Sequence, residues 1–325
     1  MKILKKPEVF LAHSVPERVL NYLEEHCTYQ IWDQQKNLKR EDLKEILKSV
    51  DGALLTGHSA DADLVKDSER LKVISTATVG YDNFDAQGLA SENVLLTHTP
   101  YVLDETVADL LFGLILSGSR RIAELHSQIQ AGNWDRSTSQ AALYGQDVYE
   151  KTLGIVGMGR IGEKIAHRAK EGFGMKILYH NRSNRPKAEE RYNAEKVELD
   201  DLLTRSDVVV LMVPLTEETT HLINKEALQK MKKTALLVNG ARGPVIDEQA
   251  LIEALQNNDI FGAALDVFET EPLPKDHPFL HLRNVTLTPH IGSATAATRE
   301  AMAMRAVKNL VAGAKGDTPM DVVKP

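Results

Sequence analysis

Two hydrophobic rhythms alternate along this chain of 325 residues. Short runs of Val, Leu and Ile stand between stretches where apolar residues recur every three or four positions. In the first third the runs predict strands over Val9–Ala12, Tyr29–Trp32, Ala53–Thr56, Val73–Thr76 and Val94–Thr97, with helices over Pro16–His26 and Arg40–Leu47. Beyond residue 150 the strands are Leu153–Val156, Met175–Tyr179, Val208–Val213, Ala235–Asn239, Gly262–Asp266 and Val285–Thr288. Helices follow near Leu199–Leu203, Lys225–Lys230 and Glu248–Asn257, and a last one runs from Thr295 to Ala314. Strands this uniformly apolar suit parallel sheets covered by helices on both faces. One segment departs from the rhythm. Asp104–Ile122 reads as a single helix, apolar on too many faces to be one-sided, and is expected to be buried between domains or against a second subunit.

The densest signal is Thr152–Gly162, where the apolar run Leu153–Val156 meets Gly157, Gly159 and Gly162 and a helical pattern follows. Strand, tight glycine turn and helix in that order predict a dinucleotide site. Gly157 permits the turn, Gly159 lets the backbone approach a pyrophosphate, and Gly162 lets helix and strand pack closely. The helix N-terminus then holds the phosphates. Because this motif lies mid-chain, the residues before it need a core of their own, and the chain is expected to return there after Pro289. The predicted class is therefore α/β with two doubly wound domains, a Rossmann dinucleotide-binding domain inserted in a flavodoxin-like one. The expected boundaries are 1–101 with 290–325, and 102–289.

An NAD-binding fold usually carries an acid at the end of the next strand, for the ribose 2′-hydroxyl. Here Asn181, Arg182, Ser183, Asn184 and Arg185 follow His180 instead. Asn181 removes the repelling charge, Arg182 and Arg185 bring guanidinium forks, and Ser183 brings a hydroxyl, a set that favours NADPH over a weaker NAD. The alternative is a solvated basic loop.

A net charge of −7 with no long basic run argues against nucleic acid as a partner. The single Cys27 excludes an internal disulfide, and the charged start Met1–Pro7 lacks a leader's apolar core. No apolar run is long enough to span a membrane. A cytoplasmic location is the expectation.

Ligands in doubly wound folds lie beyond the carboxyl ends of the strands. Three consecutive strands end near Arg242, near Asp266 with Glu269 and Glu271, and near His290. A cation can fix a carboxylate and polarise a ketone, a protonated His can give its proton to a forming alkoxide, and a carboxylate can orient that His. Taken singly, Arg242 fits a surface ion pair, Asp266 a cap, Glu271 a turn and His290 a loop. The other histidines show no comparable partner, and His277 and His281 are expected in solvent. No metal-ligand pattern is present.

These residues resemble the D-isomer-specific 2-hydroxyacid dehydrogenases over nearly the whole chain. The resemblance rests on Val79–Asp85, Glu105–Asp109, Gly157–Gly162, Asn239–Glu248, Ala264–Pro272 and Pro289–Thr295, with 29 residues from Arg242 to Glu271 and 19 from there to His290. Within the family the chain is most like bacterial reductases of glyoxylate, hydroxypyruvate and 2-ketogluconate. The resemblance implies His290 as acid/base, Glu271 rather than Glu269 as its partner, and Arg242 on the substrate carboxylate and ketone. Backbone N–H groups of Val79 and Gly80 would bind the same carboxylate. Thr106, Met158, Arg160, Ile161, Pro214, Ala241 and Asp266 would join the glycines at the cofactor. A homodimer through the dinucleotide-binding domains is implied as well. One position departs from the eukaryotic relatives, which carry two tryptophans three apart. Trp134 keeps the first, but Ser137 replaces the second, and the lost bulk would admit a longer, polyhydroxylated acid. Other relatives act as dinucleotide-sensing corepressors, or as NAD-linked dehydrogenases in the oxidative direction. Corepressors tend to carry disordered tails, which this chain lacks, and the missing acid after Tyr179 disfavours the NAD-linked reading.

Overall fold

A computed structural model describes residues 5–324. The start of the charged segment read as lacking a leader's apolar core, Met1–Leu4, lies outside the described residues. The chain divides into two compact units, one comprising the chain up to Leu103 and again from Ala294, the other Asp104–Ser293. The divisions fall two to four residues beyond 101/102 and 289/290, because α5 begins at Asp104 and the loop carrying His290 stays with the second unit.

The first unit runs β1 (Glu8–Leu11), α1 (Glu17–His26), β2 (Thr28–Ile31), α2 (Arg40–Leu47), β3 (Gly52–Leu54), α3 (Ala62–Val65), β4 (Val73–Ser75), α4 (Ala86–Ser91) and β5 (Leu95–Thr97). Its strands form one parallel sheet in the order β2-β1-β3-β4-β5, the flavodoxin-like arrangement. Phe10, Leu47, Ala53, Leu64, Ile74 and Leu89 fill a core on one side of the sheet.

The second unit runs α5 (Asp104–Ser119), α6 (Ile122–Gln130), β6 (Thr152–Val156), α7 (Arg160–Phe173), β7 (Lys176–His180), α8 (Pro186–Tyr192), β8 (Glu195–Lys196), α9 (Leu199–Arg205), β9 (Val208–Leu211), α10 (Lys225–Lys230), β10 (Leu236–Asn239), α11 (Glu248–Gln256), β11 (Gly262–Leu265) and β12 (Val285–Leu287). Its parallel order is β12-β11-β10-β9-β6-β7-β8, so the order reverses at β6 and β9, the switch point of a doubly wound sheet. The chain then re-enters the first unit as α12 (Ala296–Lys315). Cys27 is buried, and that burial pushes its thiol up to about 11. Among the described residues no helix is long and apolar enough to cross a membrane.

The segment expected as one helix over Asp104–Ile122 is two. α5 stops at Ser119, Arg121 takes a left-handed conformation (φ 55°), and α6 begins at Ile122. Much of the all-round apolar character of α5 serves its own unit. Leu111 presses on Gly240, Leu236 on Gly118, and the Phe112 and Phe173 rings lie 4.8 Å apart. Helices α3, α4 and α8 and strand β8 lie outside the sequence expectation.

Candidate active site

All strands of the second sheet are parallel, so their carboxyl ends share one edge, and the glycine motif turns there after β6. Gly157 has φ +105°, and a Cβ on it would sit 2.6 Å from the Met212 carbonyl carbon, so backbone shape and packing both demand glycine. A Cβ on Gly162 would lie 2.6 Å from the Gly157 carbonyl oxygen, whereas one on Gly159 meets nothing within 4 Å. Protein packing therefore explains two of these glycines, and the third faces open space. No side chain caps α7, which leaves its first N–H groups to a ligand. The turn and the helix start together form an open cradle that could hold a pyrophosphate.

Asn181 does more here than lack a charge. Its Oδ1 accepts from Met158 N at 2.7 Å and its Nδ2 donates to Met158 O at 3.2 Å, so it clamps the glycine turn. Arg182, Ser183 and Arg185 are exposed immediately beyond it, and Arg185 precedes the first turn of α8. Arg160 is tethered through Nε to Asp104 Oδ2 at 3.1 Å. Asp104 is 6% exposed and opens α5 two residues before Thr106, a positioning role the sequence reading missed. Pro214 and Ala241 stand just past β9 and β10 on the same edge.

At the other end of the edge, β10 leads through Ala241 into Arg242. Arg242 is half-buried and donates from Nη1 to the Ala241 carbonyl at 2.9 Å. The next residue is pressed onto the chain after β11, since a Cβ on Gly243 would sit 1.9 Å from the Phe268 carbonyl carbon. That contact brings the Arg242 loop to the segment carrying Glu271. The Glu271 carboxylate accepts from Phe268 N at 3.1 Å and from His290 Nδ1 at 2.7 Å. A carboxylate only accepts, so Nδ1 carries the hydrogen and Nε2 is the atom left for chemistry. Burial pushes the Glu271 pKa up, but the His290 ring, the Phe268 N–H and the Arg242 charge outweigh it and hold the carboxyl below its ordinary value. Glu269 turns elsewhere, its Oε1 accepting from Glu248 N at 3.4 Å and facing His221 Nε2 at 3.4 Å.

Asp266, 3% exposed, fastens the His290 loop. Its Oδ1 accepts from Thr288 Oγ1 at 2.6 Å and from Ile291 N at 2.9 Å, and its Oδ2 accepts from Gly292 N at 2.8 Å. Between these anchors His290 adopts φ +51°. A hollow of about 460 Å³ opens beside the pair, walled by Phe268, Pro272, Leu273, Leu280 and Leu287.

Val79 and Gly80 belong to the first unit, in the loop after β4. The Val79 carbonyl accepts from His98 Nδ1 at 2.9 Å and the Gly80 carbonyl from Thr78 Oγ1 at 2.6 Å. Among the described residues no protein acceptor meets either N–H. The expectation that the other histidines lack a comparable partner is corrected by His221, which faces Glu269, and by His277, whose Nε2 lies 2.9 Å from Glu248 Oε1. His277 is therefore not solvated. Its partner is 29 residues away in sequence, and only the packing of α11 brings them together.

An open phosphate cradle and an Arg, carboxylate and imidazole set on one sheet edge define a dinucleotide-dependent oxidoreductase. Comparison with known proteins narrows the class. Residues 112–292 match the family described as D-isomer specific 2-hydroxyacid dehydrogenase, NAD binding domain. The chain is 48% identical over 323 residues to glyoxylate/hydroxypyruvate reductase B of Klebsiella pneumoniae, covering 98% of this chain and 99% of that protein. It is 46% identical over 320 residues to the same-named protein of Serratia proteamaculans, covering 98% of each. Among solved structures, a Thermus thermophilus protein matches with TM-score 0.89 at 38% identity, covering 98% of this chain and 100% of that one. An NADPH-dependent glyoxylate/hydroxypyruvate reductase of Sinorhizobium meliloti, in complex with NADP and malonate, matches with TM-score 0.85 at 30% identity, covering 98% and 97%. The chain belongs to the D-isomer-specific 2-hydroxyacid dehydrogenase family and is an NAD(P)-dependent oxidoreductase.

Proposed function

We propose that this protein reduces small 2-keto acids, glyoxylate, hydroxypyruvate and 2-ketogluconate among them, to D-2-hydroxy acids with NADPH. The observation that carries the reading is the 2.7 Å contact of His290 Nδ1 with Glu271, with the Arg242 charge beside that carboxylate. When bound, the nicotinamide supplies the hydride. Arg242 holds the substrate carboxylate and polarises the ketone. Protonated His290 gives its Nε2 proton to the oxygen that becomes the hydroxyl, and Glu271 keeps the ring oriented and stabilises its charge. Val79 and Gly80 N–H groups are the further carboxylate donors. Arg160, Ile161 and the three glycines hold the pyrophosphate, and Thr106, Pro214, Ala241 and Asp266 lie toward the nicotinamide.

The NADPH preference is supported by the uncharged Asn181 and the exposed Arg182, Ser183 and Arg185. Initial rates of NADPH and NADH oxidation with each keto acid test it. NADPH is expected to be used at least tenfold more efficiently, and Arg182→Ala with Arg185→Ala to erase most of that margin by raising the NADPH KM. Equal use of both cofactors by the unaltered protein refutes the preference, and failure of all three acids refutes the reductase.

The reading includes a homodimer through the second unit, supported by the exposed apolar side chains of Ile122 (55%), Ile129 (55%), Trp134 (62%) and Tyr144 (66%) in and after α6. Sedimentation is expected to give twice the 36.1 kDa chain mass. A species of single-chain mass at micromolar concentration removes that part of the proposal.

A further inference from the structure

In the first sheet the strand order reverses at β1 and β3, the switch point of that unit. His13 lies two residues past β1 and His58 four residues past β3, both on the carboxyl edge where ligands bind in open α/β sheets. Both are half-buried, and the His13 ring feels the charge of His58 as well as its own burial. Among the described residues neither ring makes a hydrogen bond or an ion pair. Two imidazoles are thus partly desolvated and unengaged just past two directly paired strands, at the place where the fold presents ligands.

The loop of His58 is also fixed to the loop of Val79 and Gly80. Thr56 Oγ1 accepts from Ala77 N at 2.8 Å, and the Asn83 amide donates to the His58 carbonyl. Beside His58 lies a polar hollow of about 260 Å³, lined also by Leu38, Lys39, Arg40, Leu43, Gly57 and Ser59. Arg40 is committed to Asp61 at 2.6 Å and Asp63 at 3.6 Å.

We infer that His13 and His58 form a subsite for the hydroxyl groups of the distal chain of a polyhydroxylated 2-keto acid. The inference rests on the proposed reductase reading, with the acid's carboxylate on the Val79 and Gly80 N–H groups. Burial, and for His13 the neighbouring His58, lower both pKa values, so both rings are neutral near pH 7. A neutral imidazole offers one donor and one acceptor, so it can both donate to and accept from hydroxyls, whereas to a second carboxylate it offers a donor without a charge. The pair therefore selects sugar acids over dicarboxylates.

The experiment compares kcat/KM for 2-ketogluconate and glyoxylate in the full-length protein and in His13→Leu, His58→Leu and His58→Asn. The ratio favouring 2-ketogluconate is expected to fall about tenfold in each Leu variant, carried by KM for the longer acid. Asn keeps a donor and an acceptor and is expected to recover part of it. A second measurement needs no variant. Addition of D-gluconate to the unaltered protein is expected to shift the His13 and His58 ring signals in NMR, and glycolate to leave them in place. Ratios unchanged within twofold, or ring signals indifferent to D-gluconate, overturn the subsite. Reduction of glyoxylate without any reduction of 2-ketogluconate also overturns the subsite while sparing the reductase reading, and failure with both acids and with hydroxypyruvate overturns that reading itself.

Discussion

Replacing His290 by Asn is expected to lower kcat for 2-keto acid reduction about 10²- to 10⁴-fold, the usual contribution of a positioned general acid. Asn is the informative replacement because position 290 is left-handed (φ +51°), a conformation Asn tolerates and most residues resist. The loop also remains anchored by three hydrogen bonds to Asp266, so the fold is expected to survive. Steady-state rates with a thermal unfolding curve on the same sample separate lost chemistry from lost structure. A fully active Asn variant removes His290 from the reaction. Glu271→Gln is the companion. Since its folded pKa lies below the ordinary value of 4.5, the carboxylate contributes stability that is present above that value and lost only as pH falls through the lower one. The Gln variant is expected to lose that acid-side dependence, together with part of kcat.

Arg242→Ala is expected to reduce kcat/KM about 10³-fold, roughly 4 kcal/mol of transition-state stabilisation, with KM rising and kcat falling together. Both move because the side chain is read as binding the carboxylate in ground and transition states and polarising the ketone in the second. Arg242→Lys keeps the charge but not the planar fork and is expected to recover only a small part. There is a coupled consequence at the neighbouring acid. The Arg242 charge helps to hold the Glu271 carboxyl low, so its removal is expected to move the acid limb of the pH–rate profile upward. A variant with unchanged KM and an unchanged profile would mean that Arg242 serves only its loop.

The strands were legible because each is a short run of almost pure Val, Leu and Ile, as a sheet covered on both faces requires. The glycine turn was legible because its constraints are local, a positive φ at Gly157 and a tight approach at Gly162. Arg242, Glu271 and His290 stood out because each follows a strand, and parallel strands bring such positions to one edge. What escaped depends on distant contacts or atypical starts. Helix α4 holds a glycine and is begun by the Asp85 side chain accepting from Gly88 N, so it lacks the usual apolar period. The break at Arg121 has no proline, and the nearest glycine, Gly118, still lies within α5, where it packs against Leu236. Asn181 was legible as a missing charge, but its grip on Met158 requires β6 and β7 to lie in register. His13 and His58 are 45 residues apart in sequence and become neighbours only because β1 and β3 pair.

The return of the chain as α12 also fixes an order of events at the ribosome. Ser75 Oγ donates to the Ala306 carbonyl, Lys72 Nζ to the Ala314 carbonyl, and Gly313 leaves room for Val73, so α12 completes one face of the first sheet. During synthesis β4 emerges more than 200 residues ahead of that helix, and the whole of Asp104–Ser293 follows before it. The second unit is contiguous and can close as soon as it is made, whereas the unit translated first must wait for the last segment with one sheet face bare. A nascent chain stalled before Ala296 is therefore expected to have an assembled dinucleotide fold and an apolar sheet exposed to chaperones, which makes the first sheet, though translated ahead of the second, the later of the two to become native.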